Sequence, residues 1–339
     1  MTDTYAGILQ WARRGNVLLK GANKPSMHGG VNTVCLGLLA ALVIEVVFFS
    51  IRSPYFFDDT NLANIGRAMT IIGIVAIGQT VVIIAGGFDL SVGSVMGAAG
   101  MVAAYMVNEG AGTWVGLLAA IMLGVLVGAV NGFVVSSLRI NPLITTLATL
   151  SVIRGLAYVI SGGEAIVVSD ETLLGIGTDS LIGIPIVVIL LLALFAAFGF
   201  LMPRTRFGRY IYAIGSGSRA ARLAGIRVNR WLLLFYVLSA ALAAIAGFIT
   251  LARTGQAQPA SNMGAELDVI TAVILGGASL AGGRGRLLGT FLALTVLAVL
   301  ANGMVLIGVE SYWQLVVKGA VLLAAVVWGE LRLSTRDRL

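Results

Sequence analysis

The sequence predicts an all-α polytopic membrane protein with about ten transmembrane helices and both termini in the cytoplasm. Three observations lead there. Of 339 residues, 58% are hydrophobic and only 11% charged, whereas a water-soluble domain carries about 25% charged residues to hydrate its surface. The apolar residues fall into runs near the ~20 residues that a helix needs to span a bilayer. The basic residues, finally, collect in alternate loops. Forty-four glycines with only six prolines fit close helix–helix approach, where small residues replace the hydrophobic effect as the means of association.

Candidate spans lie near 32–51, 69–86, 90–107, 113–135, 143–161, 185–202, 231–252, 267–283, 287–307 and 313–329. The third and eighth are short and interrupted by glycine. This divides the chain into a cytoplasmic segment 1–31, a transmembrane domain 32–331 with a cytoplasmic loop 203–230, and a cytoplasmic tail 332–339. Residues 1–30 are polar, with scattered charge at Arg13, Arg14, Lys20 and Lys24, and do not read as a cleavable signal. With a cytoplasmic N-terminus, seventeen basic residues fall inside and only Arg52, Arg67 and Arg253 outside. The outer loops instead carry acids, among them Asp58, Asp59, Glu109, Glu164, Asp170 and Glu310. That is the positive-inside pattern, and an odd number of helices would spoil it.

Composition also removes whole classes of chemistry. One cysteine (Cys35) and one histidine (His28) leave neither an intrachain disulfide nor a Cys/His metal cluster, and no cofactor is expected. Cys35 reads as a small packing residue and His28 as solvated. A net charge of +7 reports orientation here, since no aromatic-interleaved basic tract points to nucleic acid. There is no Gly-rich loop followed by Lys-Ser or Lys-Thr, so the chain cannot cradle ATP phosphates by that route. A membrane-embedded enzyme would have little to work with, and no pair of buried carboxylates points to a proton-coupled secondary transporter.

Three features carry the functional reading. The stretch Gly86-Gly87-Phe88-Asp89-Leu90-Ser91-Val92-Gly93-Ser94 breaks one helix and starts another. Asp89 is placed to accept the amide of Ser91 or Val92, and backbone freed inside a membrane must be satisfied by protein or line a wet cavity. Gly86, Gly87, Asp89, Ser91 and Ser94, with Gln79 before them, are therefore candidates for a solute path. A weaker copy, Leu275-Gly276-Gly277-Ala278-Ser279-Leu280, follows 190 residues later and adds Gly276, Gly277 and Ser279. Among intramembrane polar residues, Asn131 and Asn302 join the candidates. Glu45, Arg154 and Lys318 need protein, water or an interface around them. Lys318 can snorkel, and the partner of Arg154 cannot be read from the sequence.

The third feature is Ser218-Arg219-Ala220-Ala221-Arg222-Leu223-Ala224-Gly225-Ile226, inside the long cytoplasmic loop. It reads as one short helix capped by Ser218 and ended by Gly225. Arg219 and Arg222 share a face, and Ala220, Leu223 and Ala224 form a small ridge. So short a helix is marginal alone and is expected to dock into a partner's groove.

Gly87–Ser94, Thr205–Gly215, Ala220–Ile226, Glu266–Asp268 and Leu275–Arg286 resemble the signature strings of permeases in monosaccharide ABC importers, the ribose type above all. The likeness runs from about 55 to 330. It implies a ten-helix protomer in the bacterial inner membrane, a second permease copy, an ABC ATPase below and a periplasmic sugar-binding protein above. It also implies that Ala220 to Gly225 is the coupling helix. Such permeases often carry an acid just before the two alanines, where this chain has Arg219. A polyol, nucleoside or branched amino acid is the alternative cargo.

Overall fold

The computed structural model describes residues 29–336, with side-chain surroundings from 33 to 327. His28, the four basic residues of the N-terminal segment and Arg338 lie outside the described residues. The fold is helical throughout. In chain order the helices are α1 Gly29–Arg52, α2 Asp59–Ile84, α3 Val92–Asn108, α4 Thr113–Ser136, α5 Pro142–Ser161, α6 Glu171–Thr178, α7 Ile186–Arg204, α8 Arg206–Ser216, α9 Ser218–Leu223, α10 Val228–Thr254, α11 Ala265–Leu275, α12 Leu287–Leu306 and α13 Ser311–Arg336. Each of the ten apolar runs is represented by a helix. Seven helices are long and apolar enough to cross a membrane, and two shorter apolar ones cover Val92–Asn108 and Ser311–Val327.

The run at 267–283 departs furthest from expectation. Its helix, α11, has only 11 residues, a rise of about 16 Å against a hydrocarbon core of ~30 Å. Two more helices, α8 and α9, occupy the loop 203–230, and α6 lies in the connection between α5 and α7. Two-residue strand pairs, which no sequence pattern signalled, fasten the loops. β1 (Ile166–Val167) pairs antiparallel with β4 (Gln256–Ala257), and β2 (Ser180–Leu181) with β3 (Ile184–Pro185).

Burial follows composition. From Gly73 to Ile84 every residue of α2 is buried, as expected of a helix that is apolar or small all round. It lies beside α10, which also runs along α3 and α4. Glycines decide that last contact. Gly124, Gly128 and Gly132 recur every fourth residue and so share one face of α4. A Cβ at these positions would stand 2.5 Å from the Ala240 carbonyl, 2.6 Å from that of Tyr236 and 2.7 Å from the Leu233 Cα. The two backbones therefore meet directly, the small-residue contact that replaces the hydrophobic effect between helices in lipid. The outer helices keep apolar side chains on their open faces, such as Ile44 on α1, Val159 on α5 and Leu192 on α7. Those faces suit acyl chains.

Candidate functional site: two helix breaks and a short loop helix

The first break lies between α2 and α3. Gly86 turns the chain at φ +86°, a left-handed conformation that glycine adopts without steric penalty. The amides of Gly86 and Gly87 then donate to Ile83 O and Val82 O, each at 2.9 Å, closing the helix end. Asp89, Ser91 and Ser94 follow, all fully buried. Asp89 Oδ1 accepts the Ser91 amide at 3.0 Å, a bond expected from the sequence, and the Ser91 hydroxyl at 2.5 Å; the helix N-cap, however, is Ser91, and no side chain caps it. Ser91 Oγ in turn accepts from Asn131 Nδ2 at 2.9 Å, and Asn131 Oδ1 accepts from Thr149 at 2.6 Å. Tyr236 donates its hydroxyl to Phe88 O at 3.0 Å. The freed backbone is thus held from α4 and α10, with α5 supporting Asn131. The second Asp89 oxygen is buried with the Ser239 hydroxyl near it, and both amide atoms of Gln79 are buried without a hydrogen-bond partner.

The second break precedes α11. After α10 the chain runs without helix from Gly255 to Gly264 and lies along α3. Ala257 sits near Gly100, and Pro259 and Ser261 face Gly97. Asn262 O and the Glu266 carboxylate lie against Gly93. The first turns of α3 and α11 therefore meet, bringing together two positive dipole ends. Arg154 closes this region, donating to Pro259 O at 2.5 Å and Ser261 O at 2.9 Å, within electrostatic reach of Glu266. That is the partner the sequence could not name.

The inner end of α11 repeats the end of α2. Gly277 lies at φ +90°, with Gly277 N on Ile274 O and Ala278 N on Val273 O. The equivalent of Gly86 is thus Gly277, one residue later than Gly276, its match in the sequence repeat. The two turns also touch. Gly283 N donates to Ile84 O at 2.7 Å, a Cβ on Gly282 would stand 3.0 Å from Gly86 Cα, and Tyr212 of α8 donates to Gly285 O at 2.9 Å. Ser279 belongs to this turn, its amide bonded to Arg284 O.

The candidate path residues are not one continuous set. Gly86, Gly87, Asp89, Ser91, Ser94 and Asn131 form the first node, while Gly276, Gly277 and Ser279 border the inner turn. Asn302 stands apart on α12, donating to Asn61 Oδ1 at 2.9 Å. Lys318 does not simply snorkel: it is ion-paired with Asp268 of α11 at 2.7 Å. Glu45 has one buried oxygen without a partner.

In the 203–230 segment the structure corrects three details. The helix is Ser218–Leu223, shorter than the expected 218–226, with Ala224, Gly225 and Ile226 leaving it through Gly225 at φ +82°. Its N-cap is Gly217, and Ser218 makes no capping bond. Ala221 faces inward, only 4% exposed, and anchors the helix to its own chain. Leu223 is 86% exposed, and Arg219, Ala220, Arg222 and Ala224 are open beside it.

The sequence patterns did not single out Tyr236 or Thr149, and they placed Asp268 only within a family string, with no partner. An acid within an apolar run is a signal that it needs a cationic partner, which the structure supplies as Lys318. In the connection between α5 and α7, Asp170 caps α6 and accepts from Thr113 Oγ1 at 2.6 Å and Leu173 N at 2.8 Å. These bonds hold its carboxyl below the usual carboxylate range.

Residues 61–326 match the family described as "Branched-chain amino acid transport system / permease component". The chain belongs to that family. It is 40% identical over 308 residues to the L-arabinose transport system permease protein AraH of Escherichia coli, covering 91% of this chain and 94% of the relative. It is 41% identical over 293 residues to the ribose import permease protein RbsC of Escherichia coli, covering 85% and 91%. The Bacillus subtilis ribose import permease protein RbsC is 38% identical over 301 residues, covering 86% and 91%. No solved structure matches the chain. As a permease component, this chain is a multi-pass protein of the bacterial inner membrane and has no ATPase activity of its own.

Proposed function

We propose that this permease forms the translocation path of an importer for a monosaccharide such as ribose or arabinose. A periplasmic binding protein delivers the sugar, a separate ABC ATPase supplies the energy, and two permease copies flank the path. Both termini are cytoplasmic, consistent with the charge asymmetry of the loops. The protomer crosses the membrane ten times: seven long helices, two shorter apolar ones, and a tenth crossing made by the extended segment 255–264 with α11.

The observation that carries this reading is the meeting of the first turns of α3 and α11. Broken helices are tolerated at membrane depth where they line a cavity, and transporters place substrate sites at such breaks. Here the breaks gather buried hydroxyl, amide and carboxylate groups, the chemistry that matches sugar hydroxyls. The sugar permeases at about 40% identity over most of the chain favour a sugar over an amino acid. On the cytoplasmic side, Leu223 and its neighbours present a projecting surface suited to an ATPase groove.

The test is uptake into proteoliposomes holding the permease with its ATPase and binding protein. ATP-dependent accumulation of ribose or arabinose is expected. Accumulation without ATP would instead mark a secondary transporter, and ATP-driven leucine uptake would replace the cargo.

A further inference from the structure

A cavity of about 320 Å³ opens between α2, α11, α12 and α13, beside the outer end of α10. Its polar walls are Asn64, Arg253, Asp268, Asn302, Gln314 and Lys318. Each of the helix ends they occupy, from the start of α2 to the start of α13, is one that the charge pattern puts toward the outside. Met69, Ile72, Leu294 and Leu297 supply the apolar remainder. Three charged groups facing acyl chains would be costly, so this space suits water or a polar solute rather than lipid.

The hydrogen-bonding groups are only partly used within the protein. Asn302 donates to Asn61, while its own carbonyl oxygen is buried with no partner. Asp268 pairs through Oδ2 with Lys318, leaving Oδ1 able to accept and the ammonium with further donors. Gln314 donates to Val309 O and keeps its carbonyl. Acceptors and donors therefore stand side by side around a mostly apolar wall. A sugar presents hydroxyls that both donate and accept, together with C–H faces that fit apolar side chains.

We infer that this cavity is a binding station for a neutral polyhydroxylated solute, entered from the outer side. The inference rests on the importer reading and adds a cargo site separate from the Asp89 node. A Cys35→Ala chain leaves no cysteine, so Ala68→Cys and Ala301→Cys, both in the cavity wall, can be labelled singly. A water-soluble methanethiosulfonate should react at both. Ribose or arabinose, at about ten times its dissociation constant, should slow labelling about tenfold by occupying the site. Adding Asp268→Asn or Asn302→Leu should remove the protection and leave the labelling. Without any cysteine substitution, ribose should raise the unfolding temperature of the solubilised parent but not of the Asp268→Asn chain.

Labelling only by a membrane-soluble maleimide would mean a lipid-filled space and overturn the inference. So would labelling that no neutral sugar slows, or protection by ribose 5-phosphate or leucine alone. ATP-driven uptake is measured on the same preparations. Uptake with no protection sinks the binding station and leaves the importer. Protection without ATP-driven uptake by the parent sinks the importer and leaves the station.

Discussion

Gly87 has an ordinary negative φ, so its lack of a side chain is a matter of space. A Cβ there would stand 2.6 Å from the Tyr236 hydroxyl and 3.1 Å from a Val82 methyl. Gly87→Leu must therefore push Tyr236 off Phe88 O or spread α2 from α10. Overpacking of this kind costs about 1–3 kcal/mol, and it falls on the segment that shapes the proposed path. Sugar uptake is expected to be lost while membrane insertion, followed by fractionation, stays normal. Asp170 offers a second test, in the connection between α5 and α7. Its carboxyl is held low by the Thr113 hydroxyl and the Leu173 amide, so its stabilising effect is fully present above the usual carboxylate value. That effect fades as pH falls through the lowered folded value. Asp170→Asn should increase proteolysis of the 162–185 connection at pH 7. The difference from the parent should shrink once pH drops below about 4.

At the scale of elements, α9 divides its side chains between its own chain and the solvent. Ala221 is buried and Leu223 exposed, which reverses the natural choice of probe. Ala221→Glu would strand a charge inside the protomer, so its failure would report damage to the 206–230 segment rather than to docking. Leu223→Asp changes a side chain that touches little in the protomer. If Leu223 seats in an ATPase groove, losing its burial costs about 1.5–3 kcal/mol, roughly 10- to 100-fold in affinity. Pull-down of the ATPase should weaken by that factor, with thermal stability of the isolated permease unchanged. Undiminished ATPase binding by Leu223→Asp would remove α9 from the coupling role. Arg219→Ala should do less, because an exposed charge contributes at most about 1 kcal/mol.

At the scale of the molecule, the α2–α10 pair forms the centre and the other helices surround it. The charge pattern predicts which end faces the cytoplasm. Single cysteines at Asp170 should react with an impermeant reagent from the outside, and cysteines at Arg219 and Arg336 only after the membrane is opened. Reaction of the 203–230 segment from outside alone would invert the protein. The single ion pair among the described residues, Lys318 with Asp268, ties α13 to the short α11, next to the cavity proposed as a cargo site.

By itself, the sequence determined the membrane class, the position of each apolar run, the Gly86–Ser94 break and the position of the short helix that begins at Ser218. These are local properties: an apolar run of ~20 residues, two glycines before an acid, and a glycine that ends a turn all act within a few residues. It also carried the Asp89–Ser91 bond, because donor and acceptor lie two residues apart. Tertiary structure alone decided which groups meet across the bundle. Arg154 finds carbonyls more than a hundred residues away, Ser91 finds Asn131, and Lys318 finds Asp268, because helix packing and not spacing brings them together. The burial of Ala221 belongs with these, since three small neighbours look alike until one of them is packed. The shortness of α11 does too: an apolar run tells how much chain prefers lipid, while contacts of the 276–283 turn with Ile84, Gly86 and Ser216 decide how much of it leaves the helix.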